Sequence, residues 1–100
     1  MTRPSATPTV QVDDDHFRVT EWRFVPGAET GWHTHELPYV VVPQTTGTLT
    51  VETTSADPLA MDCTSGVSYS REPGAHHNLV NDRDEPFTFV EIEAKAGPSA

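Results

Sequence analysis

Turn-forming residues punctuate this chain about every eight to twelve positions, and that spacing limits what it can fold into. Pro26-Gly27, Pro43 with Gly47, Asp57-Pro58, Ser65-Gly66, Pro73-Gly74 and the polar loop from Asn81 to Pro86 leave only short intervals between them. No interval carries the apolar repeat of an amphipathic helix. The intervals instead read as strands: Phe17 to Phe24, Tyr39 to Val42, Thr48 to Thr54, Leu59 to Cys63, Val67 to Glu72, His76 to Val80 and Phe87 to Ala94. Counting an edge pairing around Val10–Val12, about eight short strands predict an all-β sandwich or barrel. Leu49 and Val51 should face inward, and Phe24, Leu79 and Phe89 are further core or cavity-wall candidates. Phe87 and Phe89 lie on one face of the last strand and Val90 and Ile92 on the other. That strand should therefore be covered on both sides, which points to a homodimer.

With 100 residues the chain is one small domain. Residues 1–15 read as a flexible polar arm, 16–95 as the domain and 96–100 as a loose tail. The formal charge of −9 argues against a nucleic-acid partner. No apolar run approaches the ~20 residues of a membrane span, and the start from Met1 to Pro8 has no leader-like apolar region. The single Cys63 excludes an internal disulfide and suits a reducing, cytoplasmic compartment. It falls in an alternating segment as a small hydrophobe.

Chemistry concentrates in Gly-Trp-His-Thr-His at 31–35. Residues two apart on a strand share a face, so His33 and His35 can reach one metal ion. His77, at the head of a later strand, can complete a facial set that leaves coordination positions open. Glu36 and His76 alternate to the opposite faces, Trp32 points away from His33, and His16 sits in the acidic arm. Tyr69 and Arg71 share a face of the strand before Pro73-Gly74. Arg71 carries a planar cationic fork that suits a carboxylate, which in so acidic a chain can be a surface Asp or Glu. Tyr69 either donates a hydrogen bond to a bound oxygen or is a satisfied core tyrosine.

Over residues 27–47 and 66–81 the chain resembles the two cupin motifs. The first is carried by Gly27, His33, His35 and Gly47, the second by Gly66, Gly74, His77 and Asn81. Two departures stand out. The glutamate position of the first motif holds Val40, or Tyr39 in the shorter spacing, and the proline of the second is displaced from Glu72 to Pro73. The resemblance implies a single-domain cupin (jelly-roll) β-barrel and one divalent transition metal on His33, His35 and His77. Iron(II) is the foremost candidate, with nickel, zinc, copper or manganese as others. Three neutral imidazoles leave the metal its full charge, which favours small anionic or chelating ligands. The stretch from Pro26 to Pro43 is similar to small bacterial cupins of β-alanine degradation and to three-histidine cupins that cleave β-diketones with oxygen. That similarity implies a mononuclear non-haem dioxygenase acting on a β-dicarbonyl or enolate, with Arg71 and Tyr69 as candidate catalytic residues. Two alternatives stay open: a metal- or ligand-binding cupin without turnover, and a Lewis-acid isomerase or lyase of sugar acids.

Overall fold

The computed structural model describes residues 2–95, so the tail expected at 96–100 lies outside the described residues. Nine strands follow in order: β1 (Thr7–Asp13), β2 (Phe17–Phe24), β3 (His33–Thr34), β4 (Tyr39–Pro43), β5 (Gly47–Thr53), β6 (Leu59–Cys63), β7 (Tyr69–Arg71), β8 (His76–Val80) and β9 (Phe87–Ala94). They form a five-stranded sheet, β1-β2-β9-β4-β7, facing a four-stranded sheet, β3-β8-β5-β6. Every pairing is antiparallel. There is no helix among the described residues. Each strand is too short, and each interval too rich in Pro and Gly, for anything but a rolled pair of sheets.

The edge pairing expected around Val10–Val12 is present and reaches farther into the segment read as an arm, from Thr7 to Asp13. β1 pairs with β2 along most of its length and has a bulge between Val10 and Val12. Ala6 just before it is buried, and Arg3 reaches Glu29 and Glu52, each at 3.1 Å. The polar composition that reads as an arm is that of a solvated edge strand, all of whose residues are exposed.

Period-two alternation sets the core. Phe24 from β2 packs against Phe89 at 5.6 Å and edge-on against Phe87 at 6.4 Å, both from β9. All three are about 1 % exposed, and Leu49 from β5 closes the layer from the opposite sheet. Such offset and edge-on pairs add to simple area burial.

β9 lies between β2 and β4 rather than at an edge. Its inward side chains are Phe87, Phe89 and Glu91, while Val90 and Ile92 point to the outer face. There Ile92 stands in register with Val19 on one side and Val40 on the other.

Two motif residues hold the ends of the strands. Gly74 has φ of +107°, a conformation that strains any residue with a Cβ, and its N–H donates to the His35 carbonyl at 2.7 Å. The turn into β8 is thereby locked to the segment carrying His35. Asn81 is fully buried. Its backbone bonds Gly27 and Ala28, and its amide donates to the Glu85 carbonyl at 2.8 Å, closing the loop before β9.

Candidate metal centre

β3 and β8 are the two strands that present the histidines. His33 pairs in register with His77, which puts the two rings opposite each other across the ladder. The strand ends after Thr34, but its pairing continues through the His35 N–H, which donates to the Ala75 carbonyl at 2.9 Å. His35 therefore keeps the same inward face as His33.

The Nε2 atoms converge. His33 Nε2 lies 3.1 Å from His35 Nε2 and 3.1 Å from His77 Nε2. The rings stand nearly perpendicular to one another, with interplanar angles of 76–80°. Metal–nitrogen bonds of about 2.0–2.1 Å place neighbouring donors about 2.9 Å apart at right angles and about 3.4 Å apart at the tetrahedral angle. The observed spacing lies between these limits.

The donor chemistry also fits a cation. His33 Nδ1 is 2.7 Å from the Gly31 carbonyl, an acceptor only, so the ring proton sits on Nδ1 and the Nε2 lone pair faces the cluster. Burial foremost, then the neighbouring His33 and His77 rings, pulls His35 down to about 4. Burial foremost, then His33, His76 and Arg71, does the same to His77. Both rings are thus neutral near pH 7, with lone pairs free to meet a cation. Among the described residues two groups of three donors have their ligand atoms within 4.8 Å of one another: His33, His35 and His77, and, sharing His35, the set of His35, Glu91 and Glu93.

Behind His33 lies a buried polar brace. Asn78, 1 % exposed, accepts the Gly31 N–H at 2.9 Å. Its amide donates to Glu29 and Glu52, at 2.8 and 2.9 Å, and Arg3 joins the same two carboxylates. The turn whose carbonyl orients His33 is therefore held from three elements.

His35 and His77 open onto a cavity of about 310 Å³ between the sheets. Val51, Met61, Leu79 and Phe89 form apolar walls, and Tyr39, Tyr69, Arg71 and Glu91 supply the polar groups. Burial pushes the Tyr69 hydroxyl well above its usual range, so it is a neutral donor. Arg71 lies over the Tyr69 ring at 4.5 Å, donates to the Ser70 carbonyl and makes no ion pair among the described residues. Both residues line the cavity, on the shared face that their parity predicts.

The other polar residues that the sequence brings into question fall outside the cavity. Glu36, His16 and His76 are exposed. His76 bonds Thr34 at 2.7 Å and stacks on Trp32, on the side away from the triad. Cys63 is buried, and burial raises its thiol pKa. Val40 projects from the outer face of β4, whereas Tyr39 and Val41 are buried. Tyr39 stacks on the His35 ring with centroids 3.9 Å apart, so an aromatic face meets the ring where the motif carries an acid.

One polar group escapes the sequence reading. Glu91 is 8 % exposed, and its carboxylate lies 3.6 Å from His35 Nε2. Burial, then the charge of Glu93, pushes it up to about 7, against a smaller opposing effect of a hydrogen bond with Trp22. The signal is present in the alternation: the face that carries Phe87 and Phe89 continues to Glu91.

No family model matches the chain. Among curated proteins it is 52 % identical over 93 residues to the beta-alanine degradation protein BauB of Pseudomonas aeruginosa, covering 93 % of this chain and 97 % of that one. The crystal structure of a cupin domain from Bordetella pertussis Tohama I superposes with a TM-score of 0.93 at 55 % identity, over 96 % of this chain and 99 % of that one. A double-stranded β-helix protein of Klebsiella pneumoniae shares the fold at 20 % identity, with a TM-score of 0.75 over 99 % and 84 % of the two chains.

Proposed function

The chain belongs to the cupins, and from that premise we propose that it is a mononuclear non-haem metal enzyme, an iron(II) dioxygenase of a small β-dicarbonyl or enolate. The carrying observation is the convergence of three Nε2 atoms, with His33 Nε2 3.1 Å from those of both His35 and His77, beside a cavity whose walls are largely apolar. His33, His35 and His77 would hold the metal and Arg71 and Tyr69 would act on substrate. Bound iron(II) would supply Lewis acidity and the electron transfer that lets dioxygen react with a closed-shell carbon acid.

The protein's own part is binding and orientation. The Arg71 guanidinium, stacked on Tyr69, would pair with a carboxylate or enolate oxygen. The neutral Tyr69 hydroxyl would donate a hydrogen bond to an adjacent oxygen. Val51, Leu79 and Phe89, which wall the cavity, would limit water around a bound substrate and so strengthen both contacts. In the net reaction one carbon–carbon bond of the substrate breaks, and both atoms of dioxygen end in the two carbonyl products. The relative's link to β-alanine degradation supports this substrate class: loss of the amine from a β-amino acid leaves a 3-oxo acid, itself a chelating β-dicarbonyl.

The test is an oxygen electrode with iron(II)-loaded protein and a panel of β-diketones and 3-oxo acids. Oxygen uptake matched to substrate loss is expected. Turnover without oxygen would instead identify a Lewis-acid isomerase or lyase, and tight binding without turnover a ligand-binding cupin. Two further expectations join the proposal. The partner is a second copy, docked on the outer face where Val12, Val19, Ile92 and Val40 form an apolar row, and light scattering should give twice the chain mass. The buried, reduced Cys63 suits a cytoplasmic setting.

A further inference from the structure

We infer that Glu91 replaces, from β9, the negative charge that the first cupin motif delivers from the position Tyr39 fills here, and that it acts beside the metal rather than as a fourth direct ligand. The inference rests on the proposed metal site and deepens it.

Three observations lead to it. First, Glu91 lies on the inner face of β9, opposite Val41 of β4, and it lines the cavity. β4 is the strand that follows the His-x-His segment, so Glu91 enters from the strand adjacent to the one that carries the motif acid. Second, its carboxylate is 3.6 Å from His35 Nε2, yet no grouping within 4.8 Å joins it to all three histidine nitrogens. It is near enough to feel a cation on those nitrogens and too far to belong to the same compact donor set. Third, it is buried without an Arg or Lys partner among the described residues. A buried carboxylate lacking a counter-ion is costly, and a cation held by the neighbouring imidazoles is the charge that offsets it.

The consequence changes how the site chooses its ligands. Three neutral imidazoles alone leave a net charge of +2 with a divalent ion. With Glu91 alongside, the cluster carries about one unit less, while the coordination positions stay open. Metal retention rises and indiscriminate attraction of anions falls. Arg71, farther along the cavity, then sets which anions enter.

The experiment uses the full chain and cobalt(II) as a visible-absorbing probe. Wild type, E91Q and E91D are titrated in competition with a chromophoric chelator, and each cobalt form is then titrated with azide. Circular dichroism checks that each variant is folded. E91Q should bind cobalt(II) about 10–100-fold more weakly, the usual effect of removing a supporting group, and bind azide more tightly. E91D, which keeps the charge, should recover most of the cobalt affinity. Cobalt affinities of wild type and E91Q within twofold, or unchanged azide affinity, would overturn the role of Glu91 and leave the metal site standing. Failure of the wild type to bind cobalt(II) would overturn both.

Discussion

Replacing Glu91 by glutamine should stabilise the metal-free protein, by an amount that grows as pH rises from about 4.5 and levels off just above neutrality. Its carboxyl is raised from the ordinary 4.5 to about 7, chiefly by burial. A raised acid binds its proton more tightly when folded than when unfolded. Between pH 4.5 and 7 the folded state therefore holds more protons, and stability falls as pH rises through that window. The gap corresponds to about 3 kcal/mol at 1.36 kcal/mol per pH unit, complete by about pH 8. Because Glu91 is 8 % exposed, solvent screening takes little from this figure. The glutamine side chain is nearly isosteric and does not titrate. Relative to wild type, E91Q should gain about 2–3 kcal/mol between pH 5 and pH 8, or about 10–20 °C in Tm for a domain of this size. Calorimetry in the presence of a chelator, at both pH values, reads the difference directly. Titration of His35 and His77 is common to both proteins and largely cancels. A Tm increment equal at pH 5 and pH 8, or a variant less stable at pH 8, would refute the view that Glu91 is a desolvated carboxyl without a counter-ion. Added zinc should reverse the order, because the wild-type carboxylate then faces a cation.

His77→Ala should lower the metal content of untagged protein far below one per chain, as measured by elemental analysis; retention of stoichiometric metal would show that the triad is not the ligand set. Val40→Glu should leave metal stoichiometry and affinity unchanged, because the side chain points to the outer face of β4, and a marked increase in affinity would contradict that placement. Arg71→Ala should raise KM for anionic substrates about 10-fold or more with little loss of Tm, since the guanidinium is exposed at the cavity and bonds only the adjacent carbonyl of Ser70; an unchanged KM would remove it from the substrate site. Phe89→Ala should cost about 3–5 kcal/mol in chemical denaturation, because the ring is 1 % exposed between Phe24 and the cavity.

Much of this protein was legible in its residues because strands and turns are local. Alternation and Pro/Gly punctuation marked β2, β6, β8 and β9 at their observed bounds, and the spacing of His33, His35 and His77 with the motif glycines pointed to one site. Parity put Arg71 and Tyr69 on one face of their strand, and the cupin resemblance pointed that face at the site. What parity could not supply was partnership between strands distant in sequence. β1 runs from Thr7 to Asp13, well beyond the edge pairing around Val10–Val12 that its residues suggest, because β2 offers it a free ladder. Glu91 stands beside His35 because β9 inserts between β2 and β4, and nothing within the last strand announces that neighbour. Local periodicity decides which way a side chain points. Only the closing of the two sheets decides what it meets there, since each such contact joins residues tens of positions apart and depends on the register of every ladder between them.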